Sequence, residues 1–371
     1  MPLILDASNC CTAAKKGSDK SMRAAVLYGK EDVRLEAVPV PSLDRGELLV
    51  RVRTALTCGT DVKVYRRGYH ARMIQPPALF GHELAGDVVA LGEDVKGFRV
   101  DDRVVAANSA PCDVCFYCRR DQPNLCEDLL FNNGAYAEYI RLPERIVRKN
   151  TYAIPANLTY KDAALIEPLA CALRGLDESN VRPGDSLVVM GLGPIGLMFV
   201  RLAKQVYGAR VIAVARRIEQ VDRAMLLGAD DGVLINKNVD LNQDRALVSE
   251  VKARTGGRGA DVVIEAIGQP DAWELATQLV RKGGLINFFG GCSTGTKVGL
   301  DTALLHYGEI TCKASFHHTP AHIRRSLELV AQGNINATHL VNHEEPLSEL
   351  PKVLHDLAHH RNGQMKTAII P

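Results

Sequence analysis

Long apolar runs and a strong charge bias are both missing from this sequence of 371 residues. No apolar run reaches the ~20 residues that a transmembrane helix needs, so no membrane-spanning segment is expected. The formal net charge of +2 gives no reason to expect a nucleic-acid or membrane-surface partner. Internal repeats and low-complexity segments are missing as well. With 46% apolar and 24% charged residues, the composition is that of an ordinary globular protein with room for two domains.

Residues 1–21 lack an apolar signal core and a cleavage site. They are polar and contain Cys10, Cys11 and a short basic run. We expect a disordered extension that ends where the first strand pattern begins, at Met22; a short targeting segment is the alternative. The chain has ten cysteines, and because their spacing suits metal binding, a reducing compartment and hence a cytoplasmic location are expected.

Two patterns of secondary structure divide the rest of the chain. The first part is strand-rich, with β-like runs at 24–28, 48–56, 86–91 and 103–107. From Pro183 onward, short apolar strands alternate with helices, which is typical of an α/β protein with a doubly wound parallel sheet. The predicted strands there are 187–190, 211–215, 262–266, 285–289 and 310–314, and the predicted helices are 195–207, 219–227 and 321–332.

The domain boundaries follow from this change of pattern. A β-rich domain is predicted at 22–174 and a cofactor domain with the parallel sheet at 175–315. The remaining segment, 316–371, is too short to form its own domain, so we expect it to pack back on the β-rich domain. A cysteine-rich lobe at about 108–130 lies within the first domain.

A glycine-rich loop stands between the first strand and the first helix of the cofactor domain. Its sequence, G-L-G-P-I-G, is formed by Gly191, Gly193, Pro194, Ile195 and Gly196. The first glycine permits a tight turn, the second lets the backbone approach a pyrophosphate, and the third allows close helix packing. A glycine-rich turn without a ligand is the simpler alternative. The position after a strand and before a helix favours a dinucleotide site.

The second strand of the cofactor domain bears on the choice of dinucleotide. An acidic residue at its end would hold the ribose 2′-hydroxyl of NAD, but Ala215 is followed by Arg216 and Arg217. Because guanidinium groups suit a 2′-phosphate, the sequence favours NADP; a solvated arginine pair in an enzyme that uses NAD is the alternative. Further candidate cofactor contacts at strand ends are Ala266, Ile267 and Phe289.

Two groups of possible metal ligands differ in kind. Cys112, Cys115, Cys118 and Cys126 form a C-x2-C-x2-C-x7-C pattern that suits one closed, tetrahedral structural zinc site. Cys58, His82, Glu83 and Glu167 are a mixed set that suits a second zinc with an open position. Glu167 lies in an otherwise apolar stretch, where a carboxylate is costly to bury unless it is paired or binds metal.

These motifs together resemble the zinc-dependent medium-chain dehydrogenase/reductase family. The resemblance is carried by G-H-E-x2-G-x5-G-x2-V from Gly81, C-G-T-D from Cys58, E-P at Glu167, the four-cysteine lobe and the glycine loop. It covers nearly the whole chain from Met22, and the C-G-T-D and E-P pieces are most similar to the sorbitol and threonine dehydrogenase branch. The resemblance implies a GroES-like catalytic domain interrupted by a Rossmann domain, with the active site in the cleft between them.

The resemblance also implies roles for single residues. Cys58 and His82 would bind the catalytic zinc, with Glu167 as third ligand, directly or through water, and Glu83 able to exchange in. Thr60 would pass on the alcohol proton, and Asp61 would orient His82. Zinc would act as a Lewis acid while hydride passes to the nicotinamide. A homodimer or homotetramer with a small-molecule substrate is expected, and no nucleic-acid or membrane partner.

The substrate is less defined by the sequence. Threonine dehydrogenases usually have a histidine where this chain has Lys63, and sorbitol dehydrogenases usually have a tyrosine at the position of Val64. The loop before G-H-E is basic and could meet a sugar phosphate or sugar acid, or be solvated surface; its residues are Arg66, Arg67, Tyr69, His70 and Arg72. His317 and His318 stand at the domain junction and could line the cleft or cap it.

Oxidation of a secondary alcohol in a polyol, sugar or sugar derivative is the favoured function. Threonine-type, amino-alcohol and sugar-phosphate dehydrogenases are alternatives within the family. A zinc-free quinone or enone reductase would not need Cys58, His82 and Glu167. A non-catalytic zinc module that binds nucleic acid or protein is disfavoured by the near-neutral charge.

Overall fold

The computed structural model describes residues 20–359 and 363–371. Most of the predicted extension, with Cys10 and Cys11, therefore lies outside the described residues. Among the described helices, none is both long and apolar enough to cross a bilayer. The described chain combines an antiparallel β-rich part with a parallel α/β part, as the change of sequence pattern predicts.

Antiparallel strands dominate the first part of the chain. Its elements are β1 (Ser21–Gly29), β2 (Asp32–Pro39), β3 (Leu48–Leu56), α1 (Gly59–Arg67), β4 (Ala78–Leu79), β5 (Glu83–Leu91), β6 (Arg103–Ala106), β7 (Ser109–Ala110), β8 (Leu130–Phe131), β9 (Tyr139–Leu142), α2 (Glu144–Asn150), β10 (Thr151–Ala153), α3 (Tyr160–Ala164) and α4 (Ile166–Glu178). Each predicted strand overlaps one of these, whereas β2, β4, β7, β8, β9, β10 and the start of β5 at Glu83 were not predicted.

The antiparallel pair β3 and β5 positions the first site residues. In β3 the side chains of Val50 and Val52 are buried and those of Arg51 and Arg53 are exposed, which is the alternation of a strand with one face on the core. The last three residues of β3 are all buried. β5 pairs antiparallel with β3 so that Leu56 stands opposite Glu83. The chain leaving β3 and the chain entering β5 therefore meet at one end of the sheet.

A six-stranded parallel sheet with helices forms the second part. Its elements are β11 (Ser186–Met190), α5 (Pro194–Gln205), β12 (Arg210–Ala215), α6 (Ile218–Leu226), β13 (Asp231–Leu234), α7 (Arg245–Arg254), β14 (Ala260–Glu265), α8 (Pro270–Leu279), β15 (Val280–Phe288), α9 (Thr302–Gly308) and β16 (Thr311–Ala314). The strand order is β13-β12-β11-β14-β15-β16, the doubly wound order in which the chain reverses direction beside the first strand. The predicted α/β class is confirmed, although β13 was not predicted and β15 begins earlier than expected.

The end of the chain returns to the β-rich part. It contains α10 (Pro320–Ala331), β17 (Val341–Pro346), α11 (Leu350–His359) and β18 (Lys366–Ile370). β18 pairs antiparallel with β3, with Ala368 opposite Leu56, and β17 pairs with β18. Where the β-rich part leads into the α/β part, α4 runs through the predicted domain boundary at residue 174. A continuous helix therefore joins the two parts.

Candidate active site

Cys58 lies at the N-terminus of α1, two residues after β3 ends. Its Sγ accepts the backbone N–H of Thr60 at 3.4 Å, and its own N–H donates to Oδ2 of Asp61 at 2.9 Å. These reciprocal contacts form a capping box in which a thiol takes the place of the usual hydroxyl. The cap thus fixes the direction of the Cys58 side chain at the start of α1.

His82 lies directly before β5 and meets Cys58 because of the β3–β5 register. It is 4% exposed, and its Nδ1 lies 3.2 Å from Oδ1 of Asp61. Tyr136, which the sequence analysis did not single out, donates its hydroxyl to Oδ2 of Asp61 at 2.6 Å. Nδ1 of His82 and Oδ1 of Asp61 do not have hydrogen-bond geometry, but the nearby carboxylate favours Nε2 as the nitrogen that would bind a metal. Burial lowers the pKa of His82, but Asp61 and Cys58 outweigh it, so the pKa is raised well above its usual value.

Glu83 is held by a lysine that the sequence analysis missed. Both carboxylate oxygens of Glu83 accept hydrogen bonds from Nζ of Lys366 at 2.6 Å, and Nζ also donates to the carbonyl oxygen of Thr57 at 2.9 Å. The two side chains are 2% and 0% exposed. The only sequence signal was a lysine at the start of the apolar C-terminal strand. The predicted exchange of Glu83 onto zinc would require it to leave Lys366.

Glu167 is a buried carboxylate without a close cation. It lies on α4 and is 6% exposed. Its nearest partners are Sγ of Cys171 at 3.9 Å and Nε2 of His318 at 3.7 Å, both longer than an ordinary hydrogen bond between such groups. Burial raises the pKa of Glu167, against the charges of His82 and Lys366. A carboxylate in this setting favours a bound cation.

The possible ligands fall into two neighbouring groups. In the first, one ligand atom each of Cys58, His82 and Glu83 lies within 4.8 Å of the others. In the second, the same holds for Glu167, Cys171 and His317. Thiolate, imidazole and carboxylate donors suit Zn²⁺, so the residues present fit the metal that the sequence predicts. The predicted triad of Cys58, His82 and Glu167 is thus divided between the two groups.

The four cysteines of the lobe also converge. The Sγ atoms of Cys112, Cys115, Cys118 and Cys126 lie within 4.8 Å of one another, and none of the cysteines in the described part of the chain forms a disulfide. Backbone N–H groups of Cys118 and Glu127 lower the pKa of Cys115 to about 6. Sulfurs that accept backbone N–H bonds and face one another suit a structural zinc ion.

The glycine loop leaves room for an anion at the start of α5. Gly191 has φ of +91°, and a Cβ on Gly196 would lie 1.9 Å from the carbonyl oxygen of Gly191. A Cβ on Gly193 would meet nothing within 4 Å, and Gly193 gives α5 no side-chain cap. The first N–H groups of α5 are therefore open to a ligand, which fits a dinucleotide pyrophosphate.

The other predicted cofactor residues surround this loop at the carboxyl edge of the sheet. Ala215 ends β12 and Arg217 precedes α6. Ala266 donates its N–H to the Met190 carbonyl at 2.9 Å, and the side chain of Ile267 lies against Gly191. Remaining positions are the exposed Arg216 and the half-buried Phe289, whose ring meets that of Phe199 at 4.9 Å.

The basic residues before G-H-E do not form one loop. Arg66 and Arg67 end helix α1, which corrects the expectation that they lie in the loop, whereas Tyr69, His70 and Arg72 follow it. Both arginines are exposed, and Arg67 lies 3.5 Å from Oγ of Ser293 in the parallel part. This segment therefore faces the cofactor domain.

His317 and His318 lie beside Glu167. Nε2 of His317 lies 2.6 Å from Oγ of Ser109, while His318 is 2% exposed. Burial keeps the pKa of both rings far below the ordinary value, and that of His317 is about 3. Both histidines are therefore neutral at physiological pH and available as metal ligands or hydrogen-bonding groups.

Comparisons with known proteins agree with this architecture. Residues 44–154 match the family model "Alcohol dehydrogenase GroES-like domain", and residues 194–332 match "Zinc-binding dehydrogenase". Sorbitol dehydrogenase of Bacillus subtilis is 28% identical over 95% of this chain and 98% of its own. Erythritol/L-threitol dehydrogenase of Mycolicibacterium smegmatis is 32% identical over 95% of this chain and 98% of its own. A candidate zinc-binding dehydrogenase from Sinorhizobium meliloti, solved with NADP, has a TM-score of 0.84 at 28% identity, covering 95% of this chain and 100% of that one.

The protein has a GroES-like domain joined to a dinucleotide-binding parallel sheet, and its thiol, imidazole and carboxylate groups converge. These features define a zinc-binding oxidoreductase that acts on CH–OH groups. The chain belongs to the zinc-dependent medium-chain dehydrogenase/reductase family, in the branch that contains the sorbitol and threonine dehydrogenases. The predicted family and fold are confirmed, and so is the use of zinc with a nicotinamide dinucleotide.

Proposed function

We propose that this dehydrogenase interconverts a secondary alcohol of a polyol, sugar or sugar derivative and the corresponding ketone. The observation that carries the proposal is a pair of neighbouring groups of possible zinc ligands, Cys58 with His82 and Glu83, and Glu167 with Cys171 and His317. The charge of His82 acts on Glu167, which links the two groups. Relatives named for sorbitol and for erythritol and L-threitol act on polyols, which supports that substrate class. Amino alcohols and sugar phosphates are the alternatives.

The chain's own residues divide the work at this site. Cys58, His82 and Glu167 hold the zinc, which supplies Lewis-acid chemistry when bound. The Asp61 carboxylate, 3.2 Å from Nδ1 of His82, would orient the ring so that Nε2 could bind the metal. The hydroxyl of Thr60, two residues after Cys58, carries the alcohol proton away from the site. Burial of His82 and Glu167 excludes water and strengthens each electrostatic contact.

NADP is the favoured cofactor. No carboxylate follows β12; Arg216 and Arg217 stand there instead, and guanidinium groups suit the 2′-phosphate. The Sinorhizobium meliloti relative with NADP bound is consistent with this choice. NAD is the alternative.

Domain boundaries, assembly and location belong to the proposal as well. The catalytic domain comprises 22–174 and 316–371 and the Rossmann domain 175–315, as the return of β18 to β3 supports. A homo-oligomer is supported by β16, an edge strand with exposed residues that include Cys312. A cytoplasmic location is supported by the unpaired thiols of the described chain.

A substrate screen with zinc analysis tests the function. Polyols, sugar phosphates and amino alcohols are offered with NAD and with NADP, and reduced nicotinamide is followed by absorbance. We expect secondary alcohols of polyols to be oxidised and about two zinc ions per chain. Cys58→Ser lowers turnover more than about 100-fold, whereas the matched control Cys312→Ser does not. Polyol turnover by Cys58→Ser at the parent rate contradicts the proposal.

A further inference from the structure

Glu167 and Cys171 lie one helical turn apart on α4. Residues spaced by four in a helix project from the same face, and here Oε1 of Glu167 lies 3.9 Å from Sγ of Cys171. Neither the sequence motifs nor the family resemblance assigned a role to Cys171. Its side chain stands beside the one buried carboxylate of the site that has no close cation.

His317 is the third possible metal ligand beside Glu167 and Cys171. It follows β16, the last strand of the parallel sheet, and has φ of +67°. A left-handed conformation is uncommon for a residue other than glycine, although histidine adopts it more readily than most, and it persists where the surroundings hold it. The ring lies near Phe131 and Phe316, at centroid distances of 5.6 and 5.5 Å. Together with Ser109 at 2.6 Å, these contacts fix the imidazole beside α4.

The separations suit a zinc ion. One ligand atom from each of Glu167, Cys171 and His317 lies within 4.8 Å of the other two. Donors bound to one tetrahedral zinc are roughly 3.3–3.8 Å apart, given metal–ligand bonds of 2.0–2.3 Å. Closing the set around a metal therefore requires side-chain movements of only about 1 Å.

Charge points to the same group. Glu83, the other carboxylate of the site, is already held by Lys366 through both oxygens. Glu167 is 6% exposed; its contacts are the thiol of Cys171 and the ring of His318, and the charges of His82 and Lys366 act on it without forming an ion pair. A buried carboxylate is stabilised when a cation or metal compensates it. Of the two buried carboxylates, Glu167 is thus the one whose negative charge no bound cation balances.

We propose that Glu167, Cys171 and His317 form an outer position for the catalytic zinc, adjacent to the inner position formed by Cys58 and His82. Glu167 belongs to both positions, so one ion occupies one or the other. This inference rests on the proposed function, because it concerns the metal of that site. Zinc in the outer position is not held by Cys58 and His82, so it represents a resting arrangement of the metal.

Zinc binding to variants that lack the inner position tests this proposal. Cys58→Ser, saturated with zinc and desalted, keeps about one zinc ion beyond the ion of the four-cysteine lobe. The double variant Cys58→Ser/Cys171→Ser loses that ion, and competition with a chromogenic chelator shows its dissociation constant raised more than about tenfold. His317→Asn in the Cys58→Ser background has the same effect.

Matched controls separate this effect from general loss of thiols or of folding. Cys58→Ser/Cys312→Ser removes an exposed cysteine on β16 and retains zinc as Cys58→Ser does. If Cys58→Ser does not fold, as judged by its circular dichroism, His82→Asn supplies a second background without the inner position. If a folded inner-site variant binds as much zinc with Cys171→Ser as without it, the proposal of an outer position is wrong.

The outcomes also distinguish this inference from the proposed function. If the parent enzyme holds two zinc ions and oxidises polyols but the inner-site variants hold only the lobe ion, the outer position fails alone. If the parent enzyme oxidises no alcohol, the proposed function is wrong. The outer position is still supported in that case if the inner-site variants lose their second zinc ion only when Cys171 is also replaced.

Discussion

Removing the ammonium group of Lys366 should destabilise the protein strongly. Lys366→Met keeps the length and apolar stem of the side chain but leaves the Glu83 carboxylate without its partner. Both carboxylate oxygens lie 2.6 Å from Nζ, and the two side chains are 2% and 0% exposed. Water therefore cannot replace the lost contacts without a local rearrangement of β3, β5 and β18.

The size of the effect follows from burial. Breaking a buried ion pair by removing one partner costs about 3–5 kcal/mol, because the remaining charge stays buried and uncompensated. An exposed pair contributes at most about 1 kcal/mol. Lys161 and Glu344, which are 44% and 53% exposed and 2.8 Å apart, provide such a pair in the same protein.

Urea denaturation in the presence of saturating zinc measures the difference. Lys366→Met is expected to lower the free energy of unfolding by about 3–5 kcal/mol, and the control Lys161→Met by less than about 1 kcal/mol. Glu83→Gln/Lys366→Met removes both charges. It should recover at least about 2 kcal/mol relative to Lys366→Met, since no uncompensated carboxylate remains.

Two results would refute this reasoning. One is a loss in Lys366→Met no larger than in Lys161→Met, which would mean that Glu83 is not left buried and charged. The other is a double variant less stable than Lys366→Met, which would mean that the shape of the pair rather than its charge holds β18 on β3. Either result would also weaken the argument that Glu83 is unavailable to the metal.

Two further predictions concern the cofactor and the acid stability. Arg216→Asp with Arg217→Ala should lower kcat/KM for NADP relative to NAD, because a carboxylate repels the 2′-phosphate; an unchanged ratio, measured by nicotinamide absorbance, contradicts the assignment of NADP. Burial raises the pKa of Asp177, but contacts including His322 and Arg325 outweigh it and lower the pKa to about 2 from the ordinary 3.8. The lowered pKa means that Asp177 stabilises the folded state at neutral pH and that this contribution is lost as pH falls through the folded-state pKa. Asp177→Asn should therefore cost about 1 kcal/mol near pH 7, after allowance for partial exposure. The difference from the parent should shrink between about pH 5 and pH 2; a pH-independent difference in urea denaturation argues against it.

Local spacing predicted the residues that lie close together in sequence or belong to a motif. The glycine loop and the strands around it follow from apolar periodicity, and the four cysteines converge within one short lobe. Cys58 and His82 were recognisable from short motifs, and the β3–β5 register explains why they meet. Such features need no knowledge of the rest of the chain.

Partners from distant segments escaped prediction. Lys366 reaches Glu83 across 283 positions, and Tyr136 reaches Asp61 across 75. Both contacts depend on which strands become neighbours in the β-rich sheet, and strand pairing is not encoded in the local pattern. Arg66 and Arg67 were assigned to a loop for a related reason, since the capping of α1 by Cys58 and Asp61 is visible only when a cysteine is accepted as a cap.

The division of charge in the site explains why a metal is needed near Glu167. Each of the other buried acidic groups has its own partner. Asp61 has His82 and the Tyr136 hydroxyl, and Glu83 has Lys366. Glu167 has neither a cation nor a close donor, so its burial is stabilised by whatever ion binds between it and the neighbouring thiols. An ion that compensates Glu167 would therefore be shared with one of two sets of ligands, Cys58 with His82 or Cys171 with His317.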